Sequence, residues 1–380
     1  MNFGVEMKIK RENLFYIYIA IMTFIFYIRF FRVESALMNS AIYILMSVGL
    51  ILFGIYYIFQ KDKLRYKILH LAILMFIIFI YFISGKQYEY LLFTVLALLG
   101  VRNKSLKKIM KIFFYTYLIC MASTFFLCLV GIRPDVMYSK ISSGKTIQLH
   151  SLGFPTGNNF FAMLFILYVS LIYYKYEKLN YVHLIGMEII GILFYFIFYA
   201  RTGIILITIL TFGTIISKYV LIKNRGRKLI SVLEIISNPA MFIFTYLFST
   251  KFYGSAIQVL TDKMVSDRLE IANIYFEIFP AKLFQTSFHY IGDLPVDNLY
   301  AFVICGFGFA FAAVIGFIYV KTMIRLYKRK KYFEMFIVTL FVLYAYSEKF
   351  FINAFRNPSM FLLGIGLFKN NNMLEEEKIE

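Results

Sequence analysis

Tryptophan is absent from this 380-residue chain, and charge is scarce: only 16% of residues are Asp, Glu, Lys or Arg. Soluble chains of this length carry about a quarter, so a water-soluble globular protein is excluded. Without Trp, the interfacial aromatic belt falls to Tyr and Phe at helix ends. The cysteines Cys120, Cys128 and Cys305 all fall in apolar runs, which argues against a disulfide framework or metal site. No Asp-x-Asp or His/Cys ligand cluster occurs, so a metal-dependent mechanism is not expected, nor is any cofactor. A Gly-rich phosphate loop ending in Lys-Ser/Thr is missing, which disfavours ATP-driven transport. No G-x-S-x-G elbow is present. Few ionisable groups lie inside the apolar runs, which argues against ion-coupled transport.

What is abundant is apolar: 61% of residues are hydrophobic and the mean hydropathy is +0.73. Continuous runs of roughly 17–25 residues predict an all-α, polytopic membrane protein; a β-barrel would alternate instead. About twelve spans are expected: Leu14–Phe31, Ala41–Phe59, Ile68–Ser84, Tyr88–Val101, Ile112–Gly131, Phe160–Tyr174, Tyr181–Tyr199, Thr202–Leu221, Leu229–Phe248, Leu299–Val320, Phe333–Tyr346 and a last run ending at Phe368. Asn238-Pro239 should kink the ninth run or mark its true start. The first 13 residues lead into an apolar run with no small-residue cleavage site, so a start-transfer helix is expected. The formal charge of +19 does not indicate nucleic acid, because the basic residues crowd into alternate short loops. Lys61 to Lys67, Arg102 to Lys111, Lys223 to Lys228 and Lys321 to Lys331 mark the inside. The reading is one transmembrane domain, residues 1–380, in a bacterial cytoplasmic membrane, with both ends cytoplasmic.

Ser249 to Asn298 is the longest polar interruption and should be a large external loop. Outside the C-terminal tail, it is where Asp262, Asp267, Glu270, Glu277, Asp293 and Asp297 gather. Asp267, Arg268, Ile271, Ala272, Tyr275, Ile278 and Phe279 recur at helical spacing, predicting a short amphipathic helix with Ser266 as N-cap. Arg268 falls in its first turn, where the helix dipole disfavours a cation; its guanidinium is expected to serve a partner beyond its own helix.

The external face should also collect His150, Asn158, Asn159, Arg201, His289, Asn298, Glu348, Arg356 and Asn357. Charges at membrane depth line a cavity or pair with one another. Arg201 sits in a hairpin too short to lift it far from the membrane, with no carboxylate in the flanking runs; it either snorkels to headgroups or joins Arg268 in an anion site. Two arginine forks suit a diphosphate and the charge it gains as a leaving group. Asp297 either caps the next span with Asn298 or accepts a proton from an attacking hydroxyl. His150 and His289 are either ordinary surface or bases. Glu348 and Arg356 are expected to pair across the last external turn.

Four segments, in order, resemble the Wzy-type polysaccharide polymerases, relatives of the O-antigen ligases. His150-Ser151-Leu152-Gly153-Phe154 through Asn158-Asn159 is similar to L-G-F-x-H-P-N, with Pro155-Thr156-Gly157 where His-Pro is usual. Tyr199-Ala200-Arg201-Thr202-Gly203 resembles the S-R-T-G turn. Arg268 resembles the arginine of the large external loop. Asp297-Asn298-Leu299-Tyr300, followed by Gly306 and Gly308, resembles D-N-x-Y, and Glu348 and Asn357 resemble polar positions near the end of such chains. The resemblance implies a metal-independent, inverting glycosyltransferase working on undecaprenyl-diphosphate-linked oligosaccharide at the outer leaflet. Arg201 and Arg268 would hold the donor diphosphate and Asp297 would activate or orient the acceptor hydroxyl. His150, Asn158, Asn159, Asn298, Tyr300, Glu348 and Arg356 would contact substrate. A flippase and a chain-length regulator are the implied partners. A ligase, or a flippase of the lipid-linked oligosaccharide, is the alternative.

Overall fold

A computed structural model describes residues 2–31, 35–60, 64–83, 89–142, 145–219, 227–265, 267–285, 288–292 and 294–368. Ser266 and Asp293, the basic residues Lys61, Lys63, Lys223 and Arg225, and the acidic tail after Phe368 lie outside them. In chain order the helices are α1 (Asn2–Ile28), α2 (Ala36–Ile58), α3 (Leu64–Ile83), α4 (Glu89–Gly100) and α5 (Leu106–Leu129). The hairpin β1 (Met137–Ser142) and β2 (Lys145–His150) precedes α6 (Gly157–Lys175), α7 (Tyr181–Phe198) and α8 (Arg201–Tyr219). Next come α9 (Arg227–Phe248), α10 (Ala256–Val265), α11 (Arg268–Ile278), α12 (Leu299–Phe307), α13 (Phe309–Lys328), α14 (Tyr332–Ala345) and α15 (Leu363–Leu367).

The fold is helical because a greasy chain in lipid must satisfy its backbone hydrogen bonds within each segment. Eight described helices are long and apolar enough to cross a membrane, and three shorter apolar helices accompany them. Polar side chains start several. Ser105 accepts from Lys108 N, Thr156 from Asn159 N, and Asn180 forms a capping box with His183.

The described residues divide into two compact units. One is drawn from within Met1–Gln60 and Lys104–Lys223, the other from within Lys61–Asn103 and Asn224–Met373. In the first, α6 is the most buried span and packs on α5 and α8. Phe160 stacks on Phe198 with centroids 4.1 Å apart, and Phe154 meets both rings edge-on. Gly203 lets α8 close on α6, because a Cβ there would lie 2.4 Å from Phe161 Cβ. The segment expected as a plain external loop, Arg133–Asn158, contains the antiparallel hairpin, in register Met137 opposite His150.

In the second unit α9, α12, α13 and α14 pack together, with α15 against α13. Two expectations change here. The run Leu299–Val320 is not one span: the helix breaks at Gly308, whose φ is +88°. Chain from the preceding loop fills the break, with Phe309 N donating to Lys282 O (2.9 Å) and Ala310 N to Leu283 O (3.0 Å). A side chain at 308 would place its Cβ 2.5 Å from Leu283 O, so this position demands glycine. The last run likewise is not one regular helix. It folds as 3-10 segments at Lys349–Ile352 and Pro358–Leu362 followed by the short α15.

Candidate functional site

The site in the second unit is built on the turn between α10 and α11. Asp267 occupies the N-cap position of α11 in a left-handed conformation and makes no side-chain cap. Asp262, from the preceding helix, does that work instead, accepting from Leu269 N (2.7 Å) and Glu270 N (2.9 Å). Gln258 Nε2 donates to its other side. Burial lifts the Asp262 carboxyl above the usual carboxylate range, although these donors pull the other way.

This turn holds Arg268 in the first turn of α11, where the dipole is adverse. Its partner is Asp297, 29 residues on: Nη1 donates to Oδ2 at 2.7 Å. The two side chains are 11% and 24% exposed, so the pair is shielded yet reachable. Arg268 Nε is buried and has no hydrogen-bond partner among the described residues.

Asp297 and Asn298 divide the two tasks foreseen for them. Asn298 caps α12, its Oδ1 accepting from Tyr300 N (2.9 Å) and Ala301 N (3.0 Å). Its Nδ2 is buried without a partner. Asp297 is thereby free to serve Arg268. Glu348 completes the cluster from the turn after α14. It is 7% exposed, and the charged groups acting on it are Asp297, Arg268 and Lys349 rather than the expected Arg356. Burial first, and the Asp297 charge second, push its carboxyl up to about 8, against the pull of Arg268 and Lys349. Lys349 Nζ lies 4.3 Å from the Tyr290 ring centroid, a cation-π contact on the same side.

The remaining expected residues of this unit are placed as follows. Tyr300 is buried and its hydroxyl donates to Val342 O (2.7 Å), tying α12 to α14. Asn357 Nδ2 donates to Phe351 O and its Oδ1 accepts from Ser359 Oγ. Half-buried Arg356 closes a backbone turn onto Asn353 O. His289 is exposed and meets Phe279 edge-on at 4.8 Å.

The first unit carries Arg201, His150, Asn158 and Asn159. Tyr199 takes a left-handed φ of 51° to reverse the chain between α7 and α8. Arg201 is exposed, 5.5 Å from the Tyr199 ring centroid and hydrogen-bonded to Tyr195. His150 Nδ1 lies 2.6 Å from Asp135 Oδ2, and Asp135 also accepts from Leu152 N (2.8 Å). Slight desolvation raises the Asp135 carboxyl, but His150 and Leu152 outweigh it and hold it below the usual range. Asn158 is exposed and Asn159 half-buried in the first turn of α6.

Sequence reasoning missed Asp262 as a cap and Asp135 as the partner of His150, since neither sits at a recognisable capping spacing. Among the described residues, no three His, Cys, Asp or Glu side chains group as a metal site would require. The site can therefore be read as one shielded cation flanked by two carboxylates of unlike environment. That suits binding a phosphate-like group beside a proton acceptor. No protein-family model, no curated protein and no solved structure matches the chain.

Proposed function

We propose that this protein is a membrane glycosyltransferase of the Wzy-type polymerase kind, joining lipid-diphosphate-linked oligosaccharide repeat units on the outer face of a bacterial cytoplasmic membrane. In this reading the chain crosses the membrane about twelve times, both ends are cytoplasmic, and Ser249–Asn298 faces outward. The observation that carries the reading is the Arg268–Asp297 pair, 2.7 Å long and shielded, with buried Glu348 beside it. An exposed pair of this kind would be worth little as a stability device. A shielded guanidinium with an unused Nε is prepared for an anion, and desolvation strengthens that attraction.

The acceptor sugar hydroxyl attacks the anomeric carbon of the donor. The bond from that carbon to the diphosphate oxygen breaks, and the electron pair leaves with the lipid diphosphate, whose added charge Arg268 offsets. The hydroxyl proton passes to the carboxylate side of the cluster. Asp297 takes it while orienting the guanidinium, and Glu348 tunes the local charge. The resemblance gives Arg201 a part in donor binding as well. A flippase that supplies the donor and a chain-length regulator are the partners this reading implies.

Purified protein in liposomes with lipid-linked repeat units tests it. Chain growth is the expected result. Translocation without growth would indicate a transporter instead, and transfer of finished glycan to a different acceptor a ligase. Arg268→Ala should reduce growth at least 100-fold, leaving single repeat units. Arg201→Ala, measured separately, decides whether that residue belongs to the reaction. Normal polymer length in both variants would remove the mechanism.

A further inference from the structure

The inward face of α9 carries polar side chains that the reaction does not use. Arg227, Ser231, Glu234, Asn238, Thr245 and Ser249 recur in steps of three and four residues, broken once by Phe242. This spacing puts them on one stripe. Ser231, Thr245 and Ser249 are fully buried, and Glu234 and Asn238 are each 7% exposed. The opposite face is greasy and outward: Leu229, Leu233, Ile236 and Ile243 are all exposed.

Each buried residue of the stripe has a polar atom with no hydrogen-bond partner among the described residues: Ser231 Oγ, Glu234 Oε2, Asn238 Oδ1, Thr245 Oγ1 and Ser249 Oγ. An orphaned buried polar group costs about 1–3 kcal/mol. Four such groups along a helix about 33 Å long, enough to cross a bilayer, and a fifth on the residue that follows it, are a heavy cost for a dry interface. Apolar residues would pack there at none. Asn238 lines a cavity of about 70 Å³ together with Tyr300, Asn357 and Ser359. A water needs only about 10–15 Å³ of such volume, which this cavity exceeds, and Asn238 Oδ1 offers it an unused acceptor; a sugar does not fit.

We propose that this stripe is a hydrated proton path across the membrane, with Glu234 as its proton carrier and the Phe242 ring as its gate. The path runs from Arg227 and Glu234, where Tyr319 Oη donates to Glu234 O (3.2 Å), past Asn238 and its cavity. Phe242 then interrupts it, packed edge-on against Tyr300 at 4.9 Å. Beyond the ring, Thr245 and Ser249 resume the stripe. Tyr346, whose buried hydroxyl also lacks a partner among the described residues, stands beside this end of the helix, its ring 6.2 Å from that of Phe244. Protons suit the stripe better than metal ions, because hydroxyls, an amide and waters relay a proton without moving, and Glu234 can both take and release one.

The test uses full-length protein in liposomes and needs no sugar substrate, so it stands or falls apart from the polymerase reading. With Cys120, Cys128 and Cys305 changed to Ala, single cysteines are placed along α9 and treated with a membrane-impermeant methanethiosulfonate. Ser231→Cys and Asn238→Cys should label from one side and Thr245→Cys and Ser249→Cys from the other. Lipid-facing Leu233→Cys and Ile243→Cys should not label. Under a pH gradient read by an entrapped dye, Phe242→Ala should pass protons at least tenfold faster than the unmodified protein, and adding Glu234→Gln should abolish the gain. A Phe242→Ala flux no faster than that of the unmodified protein would overturn the proposal. So would a Phe242→Ala flux equal to that of protein-free liposomes.

Discussion

Arg268 lies where its own helix repels it, and it is held there by Asp297 at 2.7 Å. Replacing it by Ala leaves Asp297 shielded without its cation, which should cost about 2 kcal/mol, less than a fully buried pair because both groups keep some exposure. The double variant Arg268→Met with Asp297→Leu should regain much of that stability in thermal unfolding while chain growth stays absent. Recovery of growth with stability would show that the pair is only a strut. Glu348 gives a second prediction. Its folded carboxyl, at about 8, holds a proton more tightly than the unfolded value of 4.5. The stabilisation this brings is complete below the unfolded value and is lost as pH climbs through about 8. Glu348→Gln should flatten that decline, so the variant gains on the parent by up to a few kcal/mol above about pH 8. Parallel melting curves from about pH 5 to about pH 9 would refute the burial argument.

At the scale of elements, the break between α12 and α13 is where the chain that follows α11 is pinned to the bundle. Gly308 has a conformation and a neighbour that no side chain tolerates. Gly308→Ala should cost about 2–4 kcal/mol and free the Lys282–Gln285 segment. Trypsin cleavage at exposed Lys282, slow in the parent protein, should become fast; unchanged cleavage would show that the loop is held by something other than its bonds to Phe309 and Ala310. The turn between α7 and α8 follows the same logic. Tyr199 reverses the chain within a residue or two, and Gly203 allows the returning helix to close on Phe161. The arginine between them is thus fixed by backbone, and its direction is set by the two tyrosines beside it.

Over the whole molecule, the prediction concerns sides of the membrane. The basic clusters at Arg102–Lys111 and Lys321–Lys331 should report one compartment, and Arg133–Asn158 and Ser249–Asn298 the other. Reporter fusions that put Arg201 and Arg268 in opposite compartments would end the polymerase reading. Among the described residues, eight helices long and apolar enough to cross a membrane agree with a multi-pass protein. The inward polar stripe of α9 shows that ionisable groups inside the spans, though few, are not randomly placed.

The helical, membrane-crossing class followed from the sequence alone, because apolar run length and backbone hydrogen bonding are local demands. So did a short helix through Arg268, expected one residue earlier with Ser266 as its cap and found with Asp267 at the N-cap position, and the cap at Asn298. The α9 stripe was not singled out from the sequence, because a three-and-four spacing from Arg227 to Ser249 does not say which face turns inward. Tertiary structure alone decided that Arg268 meets Asp297, that Glu348 lies within reach of their charges, that Asp262 caps α11, and that the helix breaks at Gly308. Those contacts join residues far apart in the chain. Only packing decides which polar groups are buried and which are paired, and it is burial that lifts the Glu348 carboxyl.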